Sequence, residues 1–505
     1  MNNFITKIIK NDIKNGLNPK NLKFRFSPEP NGFLHIGHIK AIYINFEIAK
    51  YFNSKINLRF DDTNPIKENF FFVKNIINNI KWLGYKWDKL CFTSDYFFIL
   101  YKWAKKMIYK KKAYIEYKKD NKNKKIKNID ENIYYFKNMK NGKYEENSYV
   151  LRAKIKNIKQ KNNFYLKDPI MYRIIKKNHY RTLNKWCIYP TYDWAHGQSD
   201  YIENISHSLC SNEFFHHKPL YNWFLKNIYN KKINKFKPKQ IEFSRLKFLD
   251  TITSKREINI LKKKKIIKDY SDLRLSTINS LIKKGYKPEH LKLFFNNIGI
   301  TNKNYTLSIN KLNLIIKKKI IKKSKIIMVV INPIKIIIKN FKKNYIKWIK
   351  INKNYKIPFT REIYIEKEDF KINHNKNFYR LSFKNYIRLK YSYIIKAYKI
   401  KLHKNKIIKI YCKLYKNIKK EKIKSTLNWI SKKNKKKINI LDYKYIYFKK
   451  NKIYNINSLK NIKSYTNINI KILKKKQIYQ FLRIGFFYLD KNRKFIKLFF
   501  MNKKY

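Results

Sequence analysis

"FRFSPEPNGFLHIGHIKAI", residues Phe24 to Ile42, begins as an alternation of apolar side chains, breaks at proline and glycine, and ends with helical spacing. Its middle is compositionally odd. The eleven residues from Pro28 to His38 hold two prolines, two glycines and two histidines, in a chain with only 11 Pro, 9 Gly and 10 His among 505 residues. The alternation from Leu22 to Phe26 predicts a strand, and the spacing from about His35 to Phe52 predicts a helix. "KINLRF" from Lys55 predicts a second strand, stopped by "DDTNP", and a further helix is expected over roughly Lys67 to Leu83. Strand, glycine-containing turn, helix and strand is the order of a parallel α/β sheet, whose ligands bind at the carboxyl ends of the strands. Both unusual loops, "PEPNG" and "DDTNP", fall at such ends.

In "HIGH", His35 and His38 stand three apart, so both are expected on one face of the first helical turn. A helix N-terminus offers unpaired N–H groups and a partial positive charge, which suits phosphate. Gly37 has no Cβ, leaving room for a flat ring such as adenine. The same spacing fits two histidines that cap a helix, or half of a zinc site, although no third and fourth ligands lie nearby. Far along the chain, "ITSKRE" from Ile252 sets Thr253, Ser254, Lys255 and Arg256 on an expected loop after a strand. Alone, such a pair of cations reads as solvated surface. Facing the histidines from the returning half of the sheet, it could close over a triphosphate and neutralise charge on a departing pyrophosphate.

The chain is long enough for about three to four domains of roughly 100 to 200 residues. Its formal charge of +88, from 120 Lys and Arg against 32 Asp and Glu, attracts polyanions such as nucleic acid. Lys, Asn, Ile, Tyr and Phe crowd the whole length, as an AT-rich genome would dictate, so part of that charge reflects codon usage. Arginine stands out against the bias, and its planar fork has no lysine equivalent. Arg25, Arg59, Arg245 and Arg256 are singled out on that ground. Cys91, Cys187, Cys210 and Cys412 are too widely spaced for a zinc ribbon or a disulfide framework, which fits a reducing cytosol. No apolar run reaches the ~18 residues of a spanning helix, so a soluble protein with no membrane contact is expected. Residues 1–19 are basic and weakly amphipathic and read as an extension.

Residues 118–145, rich in Lys and Asn, read as a poorly ordered excursion; "SYVLRAKI" and "FYLKDPIMYRII" then read as strands of an inserted domain. The α/β pattern resumes near "WCIYPTYDWAHGQSDYIENISHSLCSNEF" and runs to "QIEFSRLKFLDTITSKRE". "TINSLIKKGYKPEHLKLFFNNIG" has helical spacing. Beyond about residue 324, segments such as "REIYIEKEDF" and "KIYCKLY" predict an all-β region.

"PEPNGFLHIGH" together with "LRFDDTNP" and "TSKR" resembles the class I aminoacyl-tRNA synthetases, more narrowly their glutaminyl/glutamyl group. "WCIYPTYDWAHGQSDYIENISHSLCSNEF" and "QIEFSRL" resemble its glutaminyl members. The match is dense over residues 23–97 and 185–257. The resemblance implies an α/β Rossmann-type catalytic domain with an inserted α+β domain, a helical connector and C-terminal all-β barrels. The expected boundaries are 1–19 for the extension, 20–97 and 185–257 for the two catalytic halves, 98–184 for an acceptor-stem-binding insert, 258–323 for the connector and 324–505 for anticodon-binding barrels.

The resemblance also implies the site. Glu29, Pro30 and Asn31, with His35, Ile36, Gly37, His38, Ile39, Lys40 and Ala41, would line an ATP site completed by Ser211, Arg245, Leu246, Thr253, Ser254 and Lys255. His35, His38 and Lys255 would act in catalysis. Asp61 would hold the α-ammonium of glutamine; for Asp62 the plainer reading is preferred, a cap of the next helix. Tyr192 would meet the side-chain amide, Gln240 would support it through water, and Arg25 and His196 would lie close by. Glutamine offers donors and an acceptor where glutamate offers only acceptors, so hydrogen-bond polarity can discriminate the two by about 10⁴ or more without editing. The reaction implied is ATP-dependent formation of glutaminyl-adenylate, with Mg²⁺ on the phosphates and no protein metal site, followed by transfer to tRNA(Gln), by a cytoplasmic monomer. The alternative is a glutamyl-specific or non-discriminating enzyme of the group. A degenerate RNA-binding protein is the rival from another class. Two departures from the family stand out: Thr253 occupies a position usually held by Met, and Phe215 and His216 occupy positions where an acidic residue near the acceptor stem is common. Tyr386 and Tyr391 could stack unpaired bases or fill barrel core.

Overall fold

The computed structural model describes residues 2–119, 122–156, 163–229, 236–249, 251–352, 355–373, 378–416, 418, 423–447 and 454–501. They fall into two units, Met1–Ile266 with Pro288–Ile309, and Ile267–Lys287 with Asn310–Tyr505. The stretch expected as a connector is thus shared between the units.

In the first unit, α1 (Phe4–Lys14) leads to β1 (Lys23–Phe26), α2 (Ile36–Tyr51), β2 (Lys55–Phe60), α3 (Phe70–Trp82) and β3 (Lys89–Phe92). The three strands are parallel and pair in the order β1-β2-β3. The chain then leaves the sheet through α4 (Phe97–Tyr109), β4 (Ala113–Lys119), β5 (Lys122–Lys125), α5 (Ile129–Lys140), β6 (Tyr149–Ala153), β7 (Ile170–Ile174) and β8 (Ile188–Pro190). These five strands form an antiparallel sheet, β5-β4-β6-β7-β8, that runs past the expected boundary at residue 184 to Pro190. The parallel sheet resumes with α6 (Tyr192–Ile202), β9 (His207–Ser211), α7 (Lys218–Ile228) and β10 (Lys239–Phe243). β9 lies alongside β1, where the Ser206 N–H donates to the Lys23 carbonyl at 3.0 Å. The order across the join is β3-β2-β1-β9-β10. It reverses between β1 and β9, and open α/β sheets bind ligands at such a reversal. α2 begins there; it is buried on most faces because it packs against β1, β2 and β9.

After β11 (Leu246–Phe248) come α8 (Lys255–Lys263), α9 (Ile278–Lys284, in the second unit), α10 (Pro288–Ile298), β12 (Tyr305–Leu307), parallel to β11, and α11 (Ile309–Lys323). The second unit contains β13 (Lys325–Ile327), β14 (Val329–Ile331), β15 (Pro333–Ile338) and a separate antiparallel hairpin of β16 (Lys347–Asn352) and β17 (Tyr355–Phe359). Two seven-stranded, mainly antiparallel sheets make up its bulk, in keeping with the all-β expectation. One closes around Ile336, Phe359, Leu389 and Trp429, the other around Val329, Ile440, Phe481 and Phe495. Tyr391 is 48% exposed at a turn between strands of the first sheet, and Tyr386 is half-buried on one of them.

Within residues 1–19, read as an extension, α1 carries an Asn3/Thr6 capping box, buries Ile5 and Ile9, and joins Asp12 to Lys239 at 2.8 Å and to His207 at 3.1 Å. Two expectations are corrected. The supposed excursion at 118–145 is ordered structure wherever it is described, residues 120 and 121 lying outside the described residues. α5 sets Phe136 and Met139 into the core of the insert, and Asn132 donates to the Ile126 carbonyl there. Lys255 lies not on a loop but at the first position of α8, with Ser254 as its N-cap.

Candidate active site

His35 is the N-cap of α2 and His38 stands at its third position, so the two rings form a reciprocal cap. The Gly37 N–H donates to His35 Nδ1 at 3.0 Å, and the His35 N–H donates to His38 Nδ1 at 3.1 Å. A histidine nitrogen that accepts an N–H carries no proton, so in both rings the proton sits on Nε2. Burial, then His38 and Arg245, press His35 down to about 2; burial and Arg245 hold His38 at about 4. Both rings are neutral near pH 7, and their centroids lie 3.9 Å apart. The capping reading of "HIGH" therefore holds, and it corrects the expectation of free backbone donors. The Gly37 and His38 N–H groups are spent on His35, leaving the two Nε2–H groups as donors.

Gly37 is required by its own neighbour. A Cβ there would stand 2.8 Å from His35 Cε1, a contact real side chains do not tolerate. The ring folded over the glycine is the imidazole that caps the helix.

His35, Ile36, Gly37, His38, Lys40 and Ala41 line a cavity of about 470 Å³ with Ser211, Glu213, Arg245, Leu246 and Thr253 from the returning half. Glu213 ties the far wall together, accepting from the Ser211 hydroxyl at 3.1 Å and from Arg245 at 2.7 Å. Lys40 is committed: its ammonium donates to the carbonyl and hydroxyl of Ser244 and lies over the Tyr305 ring, with burial lowering it to about 8. Ile39 is buried beneath this wall. Glu29, Pro30 and Asn31 sit on the loop after β1, where Asn31 donates to Glu29 at 2.5 Å. Lys255 reaches that loop. Its stem packs against Gly32, with Cδ 3.4 Å from where a Cβ would stand, and its ammonium lies 5.2 Å from the centre of the Phe72 ring. Arg256 is exposed.

A buried ionic lattice joins β1, β2 and α6 of the same unit, and none of its members lines the cavity. Arg59 donates to Asp61 at 2.7 Å, to Asp200 at 2.8 Å and to Glu203 at 3.4 Å. Arg25 donates to Asp200 at 3.0 Å, to the Leu209 carbonyl at 3.0 Å and to the Ser208 hydroxyl at 2.6 Å. Its fork also meets His196 Nε2 at 2.6 Å, and guanidinium never accepts, so Nε2 is the acceptor there. His196 Nδ1 lies 2.8 Å from an Asp61 carboxylate oxygen, which can only accept its N–H, and 3.2 Å from an Arg59 guanidinium nitrogen. Burial alone would raise Asp61, yet Arg59 and His196 outweigh it and hold the carboxyl at about 2. Asp200 is likewise lowered by Arg25 and Arg59 against its burial. Tyr192 stacks on His196 with centroids 4.6 Å apart and meets Phe214 at 5.2 Å. Burial raises its hydroxyl well above the ordinary range, so the O–H stays intact. Gln240 donates to the Phe214 carbonyl at 3.1 Å and to Glu242 at 3.0 Å.

A family model described as "tRNA synthetases class I (E and Q), catalytic domain" matches residues 21–322. The chain belongs to that family. Two further models, both described as "tRNA synthetases class I (E and Q), anti-codon binding domain", match residues 327–415 and 426–490. A protein named Glutamine--tRNA ligase from Buchnera aphidicola subsp. Schizaphis graminum is 41% identical to this chain, covering 97% of it and 94% of the relative. One of the same name from Clostridium kluyveri is 37% identical, covering 97% and 94%.

The sequence pattern assigns Arg59 no partner and gives no signal for Asp200 and Glu203, which complete the lattice. Asp62 is no cap of the next helix, whose N-cap is Asn69. It accepts from the Ser94 N–H at 2.8 Å, the Ser94 hydroxyl at 2.7 Å and the Tyr180 hydroxyl at 3.0 Å, and burial raises it to about 7. His179 supports the same corner, its Nδ1 accepting backbone N–H groups and its Nε2–H donating to the Asp62 carbonyl at 3.1 Å. The signal available in the sequence was the scarcity of carboxylates.

Proposed function

We propose that this chain is a glutamine--tRNA ligase. It activates L-glutamine with ATP and transfers the glutaminyl group to tRNA(Gln). The observation that carries the reading is the meeting of the two distant motifs: the imidazoles at the start of α2 and Thr253 line one cavity, and Lys255, two residues further on, packs against Gly32 of the loop after β1. Identity of 41% to a named Glutamine--tRNA ligase across 97% of the chain supports the choice of reaction.

ATP enters as its Mg²⁺ complex, part of the substrate. In this reading the ion would be carried by the phosphate oxygens of the nucleotide. The paired Nε2–H donors of His35 and His38 meet the triphosphate as neutral hydrogen-bond donors. Arg245 supplies the permanent charge across the cavity, and Lys255 neutralises the pyrophosphate as it leaves. Asp61, held ionised by Arg59 and His196, receives the α-ammonium of glutamine. The amide meets the Tyr192 hydroxyl, with Gln240 fixing the Phe214 backbone beneath. The carboxylate oxygen attacks the α-phosphorus and the bond to the bridging oxygen of pyrophosphate breaks, giving glutaminyl-adenylate. A terminal ribose hydroxyl of the tRNA then attacks the acyl carbon, its proton leaves, and AMP departs. The chain's contribution is position and charge rather than a general base. In this reading β4 to β8 grip the acceptor stem, the second unit binds the anticodon, and the enzyme works as a cytosolic monomer. No described helix is long and apolar enough to cross a membrane.

The test is charging of purified tRNA(Gln) with labelled glutamine and glutamate side by side. Glutamine is expected to be transferred with a preference of about 10⁴ or more. Transfer of glutamate alone would overturn the specificity; tRNA binding without transfer of either would reduce the chain to a binding protein.

A further inference from the structure

Lys40 stands on α2 two residues beyond His38, and its side chain is buried. A buried ammonium ordinarily keeps a carboxylate beside it. Among the described residues this one has none within ion-pair distance, and burial is what lowers it to about 8. It reaches instead for the turn at Ser244 and Arg245 between β10 and β11. There it donates to the Ser244 carbonyl at 2.5 Å and to the Ser244 hydroxyl at 2.7 Å, and the centre of the Tyr305 ring lies 4.6 Å away.

The directions of the next bonds follow from their partners. The Thr301 hydroxyl donates to the Lys303 carbonyl at 3.3 Å, so the Ser244 hydroxyl is the donor in its 3.1 Å contact with Thr301. Ammonium, Ser244 and Thr301 thus form a row of donors that points one way, from α2 into residues 301–303. The same segment holds the rest of the turn. The Ser244 N–H donates to the Thr301 carbonyl at 2.9 Å, the Arg245 N–H donates to Asn304 Oδ1 at 2.6 Å, and the Arg245 carbonyl accepts from the Tyr305 N–H at 3.4 Å. Every backbone polar group of Ser244 and Arg245 is therefore engaged, and the buried Ser244 carbonyl depends on Lys40.

The Arg245 side chain leaves this fixed turn for the cavity, where it is exposed and where its charge lowers both His35 and His38. The helix that carries the imidazole donors is thus fastened to the turn that carries the arginine, and two of the three N–H bonds of the ammonium are taken by Ser244. We propose that Lys40 is a positioning residue for ATP: rather than meeting the nucleotide, it fastens the Ser244–Arg245 turn to α2 and so sets Arg245 opposite the Nε2–H donors of His35 and His38. The inference deepens the reading of this cavity as an ATP site and rests on it.

The test compares Lys40→Met, Arg245→Ala and the double variant of the full chain, by calorimetric titration with ATP and Mg²⁺ and by pyrophosphate exchange with tRNA present. Arg245→Ala is expected to weaken ATP binding roughly tenfold, the scale of one charge-assisted contact, and Lys40→Met, which keeps the stem without the donors, by a similar factor. Because both act through one guanidinium, the double variant should fall within about threefold of either single one. KM for ATP should rise in step while KM for glutamine stays within about threefold of the parent, a split that a general loss of structure would not produce. Ser244→Ala removes one of the two acceptors and leaves Lys40 in place, so it serves should Lys40→Met fail to fold. It should weaken ATP binding about threefold in the parent and not at all in the Arg245→Ala background. A roughly 100-fold loss in the double variant would mean that Lys40 meets the nucleotide itself, and would overturn the proposal. Unchanged ATP affinity in folded Lys40→Met, or in Ser244→Ala, would overturn it as well. Failure of the parent protein to bind ATP would instead refute the reading of the cavity, so the two can fail independently.

Discussion

Gly37 shows how one atom sets the chemistry of the site. Its missing Cβ allows the His35 ring to lie over the helix start, and that ring position fixes the proton on Nε2. Gly37→Ala should force the imidazole aside, lowering pyrophosphate exchange in the presence of tRNA at least about tenfold, while the better helix propensity of alanine keeps stability within ~1 kcal/mol of the parent. Full exchange activity in a folded Gly37→Ala protein would contradict this role. Asp62 and His179 give a pH signature. Asp62 is raised by burial to about 7 from an ordinary 3.8, so the folded state holds a proton that the unfolded chain has lost; its contribution is full below 3.8 and disappears as pH rises to 7. His179 is lowered by burial to about 4, so its contribution is present above 6.5 and lost as pH falls toward 4. Asp62→Asn deletes the first term and leaves the second. Its unfolding free energy should therefore rise more steeply between pH 5 and 7 than the parent's, by up to about 1.4 kcal/mol per pH unit. Parallel curves from denaturant titrations would refute the assignment.

Elements were legible where periodicity was clean. "KINLRF" matches β2 residue for residue; its apolar alternation marks the strand, although Asn57 and Arg59 on the other face are buried as well, as in a parallel sheet covered on both sides. α2 starts one residue late because His35 spends its side chain on the cap instead of entering the helix. α5 escaped notice because Lys and Asn, the residues that the whole chain overuses, hide the Phe136 and Met139 spacing that seats it. The lattice was harder still, since β1, β2 and α6 supply Arg25, Arg59 and Asp200 from positions that no local pattern connects. Arg59 is the member joining three carboxylates, all buried. Arg59→Met should cost about 3–5 kcal/mol, the penalty for stranding buried charge, and should lower the midpoint of urea unfolding accordingly. A loss below ~1 kcal/mol would mean that the carboxylates find water or other cations.

Across the whole molecule, the charge of +88 says little by itself, whereas residues scarce in this composition stand at the capped start of α2 and in the buried lattice: Gly37, the "HIGH" histidines and Arg59. The fold class followed from the first strand, turn and helix, but the meeting of distant stretches required the sheet order, which puts β9 beside β1 and returns the chain to the cavity. The account depends on that meeting, and a double-mutant cycle of His38→Ala and Lys255→Ala tests it most directly, read as pyrophosphate exchange with tRNA present. If both side chains act on one triphosphate, each single change slows exchange and the two effects fall short of adding, with a coupling of about 0.5–3 kcal/mol. Strict additivity, or full activity in Lys255→Ala, would contradict it.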